Sequence, residues 1–167
     1  MYAAIIYKTC SGSCEKYARL LSEELGIPAF RLGRDKVRTD LKVIYIGWLF
    51  AGKIVGLKSA VKKFNIGAVV QVGMSPVTEE SEAKGRSSNP VSADVPLFSL
   101  QGGFDMRKLP FYYRLIMKPI TASIAEKLEA KKSLTEQEKA TLSMAKNGVG
   151  EPASWDVSDI VEWCGAH

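Results

Sequence analysis

Tyr2-Ala3-Ala4-Ile5-Ile6-Tyr7 runs into Lys8-Thr9-Cys10-Ser11-Gly12-Ser13-Cys14, and a stretch of helical period follows as far as Gly26. The first six residues are apolar without alternation, as a strand buried on both faces of a parallel sheet requires. Cys14, Tyr17, Ala18, Leu21 and Leu25 then recur at helical spacing, with Arg19, Ser22 and Glu23 on the other side. Gly26 supplies a helix stop and Pro28 sits just beyond it. The reading is strand, small polar loop, helix.

The unit repeats downstream. Ala29 to Leu32 reads as a short strand, and Arg34 to Asp40 as a charged linker. Lys42 to Gly47 is a second buried strand, and Trp48 to Gly52 is expected to be a loop. Ile54, Leu57, Val61 and Phe64 are expected on one face of a helix. Ala68 to Val72 and Pro96 to Leu100 complete the core strands. Thr78 to Asp94 holds few large apolar residues and reads as a mobile excursion with at most one weak helical turn.

From Leu109 to Ala130 the helical pattern returns, with Tyr112, Leu115, Ile116, Ile120, Ile124 and Leu128 as its apolar stripe. Pro119 predicts a kink or a restart near Lys118. Thr135 with Glu138 resembles a capping box, opening a helix that ends at Asn147-Gly148, and Ser158 to Cys164 forms a closing helix.

Strands alternating with helices predict an α/β, three-layer sandwich: a five-stranded parallel sheet of order 2-1-3-4-5 with helices on both faces. Residues 1–167 read as a single domain with a C-terminal helical extension from about 131.

Composition narrows the chemistry. The 167 residues are 46% apolar and 25% charged, with mean hydropathy −0.03, as in an ordinary globular domain. No apolar run has the length of a membrane span or an export signal, so a cytoplasmic protein is expected. Three cysteines (Cys10, Cys14 and Cys164) and one histidine (His167) make neither a disulfide framework nor a zinc site. Without an internal histidine, Ser-His-Asp and Cys-His catalysis are excluded. With 23 basic against 18 acidic residues the net charge is +5, which favours an anionic partner. No helix carries a dense basic face with exposed aromatics, so nucleic acid is not expected.

In this topology ligands bind beyond the carboxyl ends of the strands. There, Thr9 to Cys14 brings small hydroxyl side chains and backbone N–H groups to a helix start, which suits a phosphate. It lacks both the Gly-Lys-Ser/Thr ending of a triphosphate loop and Gly-x-Gly-x-x-Gly. A serine-rich helix cap that binds nothing is the plain alternative. Trp48 and Phe50, opposite, could cover a flat heterocycle or serve the core.

Thr9-x-Ser11-Gly12-Ser13-Cys14, with Ala18 behind it, resembles the flavodoxin phosphate signature, Thr/Ser-x-Thr/Ser-Gly-x-Thr followed by a helical alanine. Cys14 departs from the usual threonine. Ile46-Gly47-Trp48 with Gly52 matches the second flavin loop in position, and Gly73-Met74-Ser75-Pro76 the third. Gln101-Gly-Gly-Phe-Asp105, Leu109 and Tyr112 to Lys118 are similar to bacterial flavodoxin-domain proteins related to the flavodoxin-type protoporphyrinogen oxidase.

The resemblance implies one non-covalent FMN, its phosphate on Thr9, Cys10, Ser11, Gly12, Ser13 and Cys14. The ring would lie between Trp48, Leu49, Phe50, Ala51 and Gly52 on one side and Gly73, Met74 and Ser75 on the other. It implies a redox protein acting on a porphyrinogen-like or other organic substrate, with two alternatives: an electron carrier that docks on a redox partner, or a flavin-free binding module. Electron-shuttle flavodoxins are acidic, and this chain is basic. Arg107, Lys108, Arg114 and Lys118 lie beside Phe111, Tyr112 and Tyr113, a combination that could rest on the inner face of a membrane or simply solvate a packed helix. Cys10 and Cys14 bracket the loop. A thiol near a helix start is expected to have a lowered pKa, although both also read as small residues tolerated in a tight turn.

Overall fold

The computed structural model describes residues 1–167. In chain order the elements are β1 Ala4–Lys8, α1 Ser13–Leu25, β2 Ala29–Arg31, β3 Lys42–Phe50, β4 Lys53–Ile54, α2 Leu57–Ala60, β5 Asn65–Gly73 and α3 Glu79–Ser88. There follow β6 Leu97–Gln101, β7 Phe104–Asp105, a 3-10 turn at Met106–Lys108, α4 Phe111–Glu129, α5 Glu136–Asn147, β8 Val149–Gly150 and α6 Ser158–Ala166.

Five strands pair in parallel in the order β2-β1-β3-β5-β6, with β4 added to β3. Counting the parallel strands alone, this is the expected 2-1-3-4-5, a flavodoxin-like three-layer sandwich. Register follows the apolar runs: Ile5 lies opposite Ile44, and Ile46 opposite Val70. Ile5, Ile44, Ile46, Val70 and Val72 bury one face under α1 and α6, where Tyr17, Ala18, Leu21 and Ile160 meet them. Ala4, Ile6, Val43, Tyr45 and Val69 bury the other face with Leu57 and Ala60 of α2. Each fully buried branched side chain contributes about 1.5–3 kcal/mol, which is why the unalternating strands specify a sheet covered on both sides.

Four elements depart from expectation, three of them between the core strands. Trp48 to Phe50 is not a loop: β3 continues through it and folds back on β4, pairing Leu49 with Ile54 and Phe50 with Lys53. Ala51 (φ 49°) and Gly52 (φ 77°) make the turn, both left-handed as the favoured two-residue hairpin turn demands. The helix expected across Ile54 to Phe64 shrinks to Leu57–Ala60, because Ile54 belongs to β4 and β5 already starts at Asn65. Conversely, Thr78 to Asp94 holds a ten-residue helix, α3. Thr78 and Ser81 cap it reciprocally, and Gly85 lets it settle onto the buried Gln71.

α4 runs through Pro119 without a restart, and the Thr121 hydroxyl donates to the carbonyls of Met117 and Lys118 at that point. α4 and α5 pack on each other over the carboxyl end of the sheet, where Phe104, Leu109 and Met144 form a small separate core. The side of α4 that faces inward is Tyr113, Met117, Thr121, Ile124 and Leu128. Of the expected stripe, Tyr112, Leu115, Ile116 and Ile120 instead face solvent. No helix is long and apolar enough to cross a membrane.

Candidate functional site

The carboxyl ends of β1, β3, β5 and β6 converge under α4, and all three sequence-singled loops arrive there. The β1–α1 loop is held by its own side chains. Gly12, at φ 103° in a conformation closed to most residues, donates its N–H to Thr9 Oγ1 at 3.0 Å. Ser13 Oγ donates to the Gly103 carbonyl at 3.0 Å, tying this loop to the one after β6. No side chain caps the first turn of α1, so the N–H groups that begin the helix face the loop without a capping side chain. Ser11, partly exposed, keeps its hydroxyl free of any partner within the protein.

Cys14 belongs to a different environment. Its side chain is 1% exposed among Tyr17, Ala18 and Ile44, so only its backbone can serve a ligand. Burial pushes its thiol far above the usual range, and burial also raises that of half-buried Cys10. The lowered pKa expected at a helix start is therefore corrected: desolvation is the largest influence on both thiols, above the lowering by the Cys14 backbone and by Arg31 and Lys8 at Cys10. All three cysteines are free.

Three cavities line up along this end of the sheet. The first, about 210 Å³, is polar: Ser11, Gly12 and Ser13 form one wall, with Lys16, Lys108, Asp105 and Glu151 around it. Lys16 is drawn aside, 3.7 Å from Glu151 and 3.9 Å above the Trp155 ring, whereas Lys108 has no ion-pair partner. The second is a throat of about 70 Å³ that shares Ser11, Ser13, Gly103 and Phe104 with the first. Aromatic rings narrow it: Tyr113 stands edge-on to Trp48 at 5.4 Å and to Phe50 at 4.7 Å.

The third cavity, about 350 Å³, opens between the β3–β4 turn (Leu49 to Gly52) and the loop after β5 (Gly73 to Val77). α4 contributes Met117, Ile120 and Ile124 to its wall. Its polar lining is Ser75, Gln71, Ser81, Lys84 and Ser99. Gln71 is 1% exposed; its Nε2 donates to Ser99 Oγ at 2.7 Å and to the Ser81 carbonyl at 3.2 Å, while its Oε1 has no partner. Sequence reading missed Gln71, Lys84 and Ser99, since a glutamine inside a strand and a lysine on an unrecognised helix carry no motif. Trp48 lines the throat alone, while Leu49, Phe50, Gly73 and Met74 line both throat and third cavity, and Ala51, Gly52 and Ser75 the latter.

No grouping of three or more His, Cys, Asp or Glu side chains is placed to hold a metal ion. No protein-family model, curated protein or solved structure matches the chain.

Proposed function

We propose that the protein binds FMN non-covalently and works as a redox protein on a small organic substrate of porphyrinogen-like chemistry. One observation carries the reading: a polar, lysine-bearing cavity at an uncapped helix start shares its wall with a narrow aromatic cavity, which in turn shares lining with a largely apolar cavity of about 350 Å³ between two loops. That sequence of environments suits a ligand with an anionic end, a slender middle and a flat ring. The last cavity also lies within the roughly 300–1,000 Å³ typical of small-molecule sites.

Ser11, Gly12 and Ser13, with the backbone at Cys14 and the unpaired Lys108, would hold the phosphate. Leu49 to Gly52 and Gly73 to Ser75 would flank the ring. The unpaired Oε1 of Gln71, whose two N–H groups are already engaged by Ser81 and Ser99, suits a heterocycle that donates an N–H. FMN, when bound, supplies the electron-transfer chemistry, and the chain contributes anchoring, ring cover and local charge. The absence of an internal histidine fits this division of labour. Three free thiols favour the reducing environment of a cytoplasm.

The test is the visible spectrum of the purified protein before and after FMN is added, with Ser11→Asp alongside. Bound flavin with quenched fluorescence is expected for the natural chain. Ser11→Asp should lose it with the circular dichroism unchanged, because a carboxylate would occupy the phosphate position. Equal FMN affinity in the variant would overturn the loop assignment.

A second reading, a flavin-free binding module, draws on the throat of about 70 Å³, which passes a ring only if Tyr113 swings away from Trp48 and Phe50. That reading expects no flavin uptake at any concentration. A flavin-bound protein without turnover of porphyrinogen plus quinone would instead be an electron carrier.

A further inference from the structure

The outward side of α4 is the most exposed apolar surface of the molecule. Phe111 is 72% exposed, Tyr112 59%, Leu115 55%, Ile116 47% and Ile120 41%. Their positions fall on one side of the first two and a half turns, with exposed Pro119 among them. The opposite side of the same turns, Tyr113, Met117 and Thr121, packs inward. Singly exposed apolar residues are ordinary, but a contiguous group of five large ones marks an interaction site.

The charges on the stretch of chain that carries this face are of one sign. Between Asp105 and Glu126 the chain has Arg107, Lys108, Arg114 and Lys118 and no acidic residue. Asp105 is itself paired with Arg107 at 2.9 Å. Arg114 is braced by hydrogen bonds from its guanidinium to the carbonyls of Leu109 and Arg107, which fixes it at the start of the helix. Lys118 is exposed one turn further on, at the edge of the apolar face. An apolar face flanked by basic residues, with no acidic one on the same turns, is the arrangement of a helix lying in the plane of an anionic bilayer surface. A second copy of the chain would bring the same basic borders together, in a protein already at +5. Charge therefore favours lipid over self-association.

We infer that the outward face of α4 docks on anionic phospholipid, with Phe111, Tyr112, Leu115, Ile116 and Ile120 entering the headgroup boundary and Lys118 and Arg114 meeting lipid phosphates. Docking of this kind would bring the largest cavity beneath α4 close to the bilayer, since Ile120, at the border of the exposed face, also lines that cavity. It does not depend on which ligand those cavities hold.

The experiment is flotation of the full chain with vesicles of phosphatidylglycerol and phosphatidylcholine in equal parts, and with phosphatidylcholine alone. The chain should float with the anionic vesicles and release by at least tenfold between 50 mM and 500 mM salt. Leu115→Gln with Ile116→Gln, both exposed and outside the core, should cut the partition at least tenfold, and Lys118→Glu severalfold. Sedimentation of each variant should show the monomer. Failure to float with anionic vesicles, or flotation unaffected by the glutamine pair, would overturn the inference. So would a dimer that the same pair dissolves, which would assign the face to a second copy.

Discussion

The Tyr113 ring meets Phe50 edge-on, centroids 4.7 Å apart and planes at 77°, so a helix from the chain's second half is latched onto a hairpin from its first. Trp48 joins from the same strand at 5.4 Å. Edge-to-face pairs are each worth about 0.5–1.5 kcal/mol beyond their buried area. A double-mutant cycle of Phe50→Leu and Tyr113→Leu should therefore show a coupling of about 1 kcal/mol in urea unfolding. Amide exchange in the first half of α4 should quicken in either single variant; additive effects and unchanged exchange would mean the latch holds nothing.

Gly85 is the contact through which α3 reaches the sheet. A methyl group there would lie 2.1 Å from Gln71 Oε1, inside a wall the amide cannot leave without giving up its bonds to Ser81 and Ser99. Helix propensity alone would make Gly85→Ala stabilising by about 1 kcal/mol. Overpacking of about 1–3 kcal/mol should more than reverse that. Denaturant melts should show a net loss, with recovery when Gln71→Ala is added; a stabilised single variant would refute the packing account.

Alkaline stability should be set by buried phenols. Tyr2, whose hydroxyl donates to the Gly67 carbonyl at 2.8 Å, is pushed by burial, with a smaller contribution from Cys164, from 10.0 up to about 12. Burial raises Tyr17 and Tyr45 still further. These groups keep their protons in the folded chain at a pH where the unfolded chain loses them. The buried Cys14 thiol adds the same effect from about pH 9, so stability is intact below about pH 9 and falls with rising pH from there through 12. Tyr2→Phe should flatten part of that fall, as melting temperature against pH would show.

Thiol labelling should divide the cysteines in two. Cys14 lies at 1% exposure with its thiol pushed far up, while Cys10 and Cys164 are half-buried. Intact mass after iodoacetamide under native conditions should show at most two adducts, both slow, and a third only in denaturant. Rapid labelling of Cys14 would place it in the loop rather than the core.

How much of this the sequence announced depended on whether burial left a period behind. The strands at Ile5, Ile44 and Val70 are unbroken apolar runs, because both faces of the sheet are covered, and their order followed from right-handed crossovers. The hairpin at Ala51-Gly52 went unread because alanine at the first left-handed position is not a turn signal, and Trp48-Leu49-Phe50 suited a strand as well as ring cover. α3 was missed because it attaches through a glycine rather than an apolar stripe. In α4 the expected stripe holds at Ile124 and Leu128 but lies on the wrong side in the first turns: a segment apolar nearly all round has no preferred face, and only the packed structure separates Tyr113 and Met117 from Tyr112 and Ile116. At the site, the loops were legible from their small residues. Gln71 and Lys84 were not, since their role comes from what the fold sets opposite them.

The layer begun by α1 is completed only by α6, where Val157, Ile160 and Trp163 come to lie with Tyr2, Ile5 and Val70. Every parallel strand is already in hand by Gln101. During synthesis, then, a finished sheet must wait with one side partly bare until residues some sixty positions later are made. The molecule's exposure to misassociation is greatest in that interval, and a chain cut short between Gln101 and Ser158 would hold a sheet with one apolar wall only partly covered.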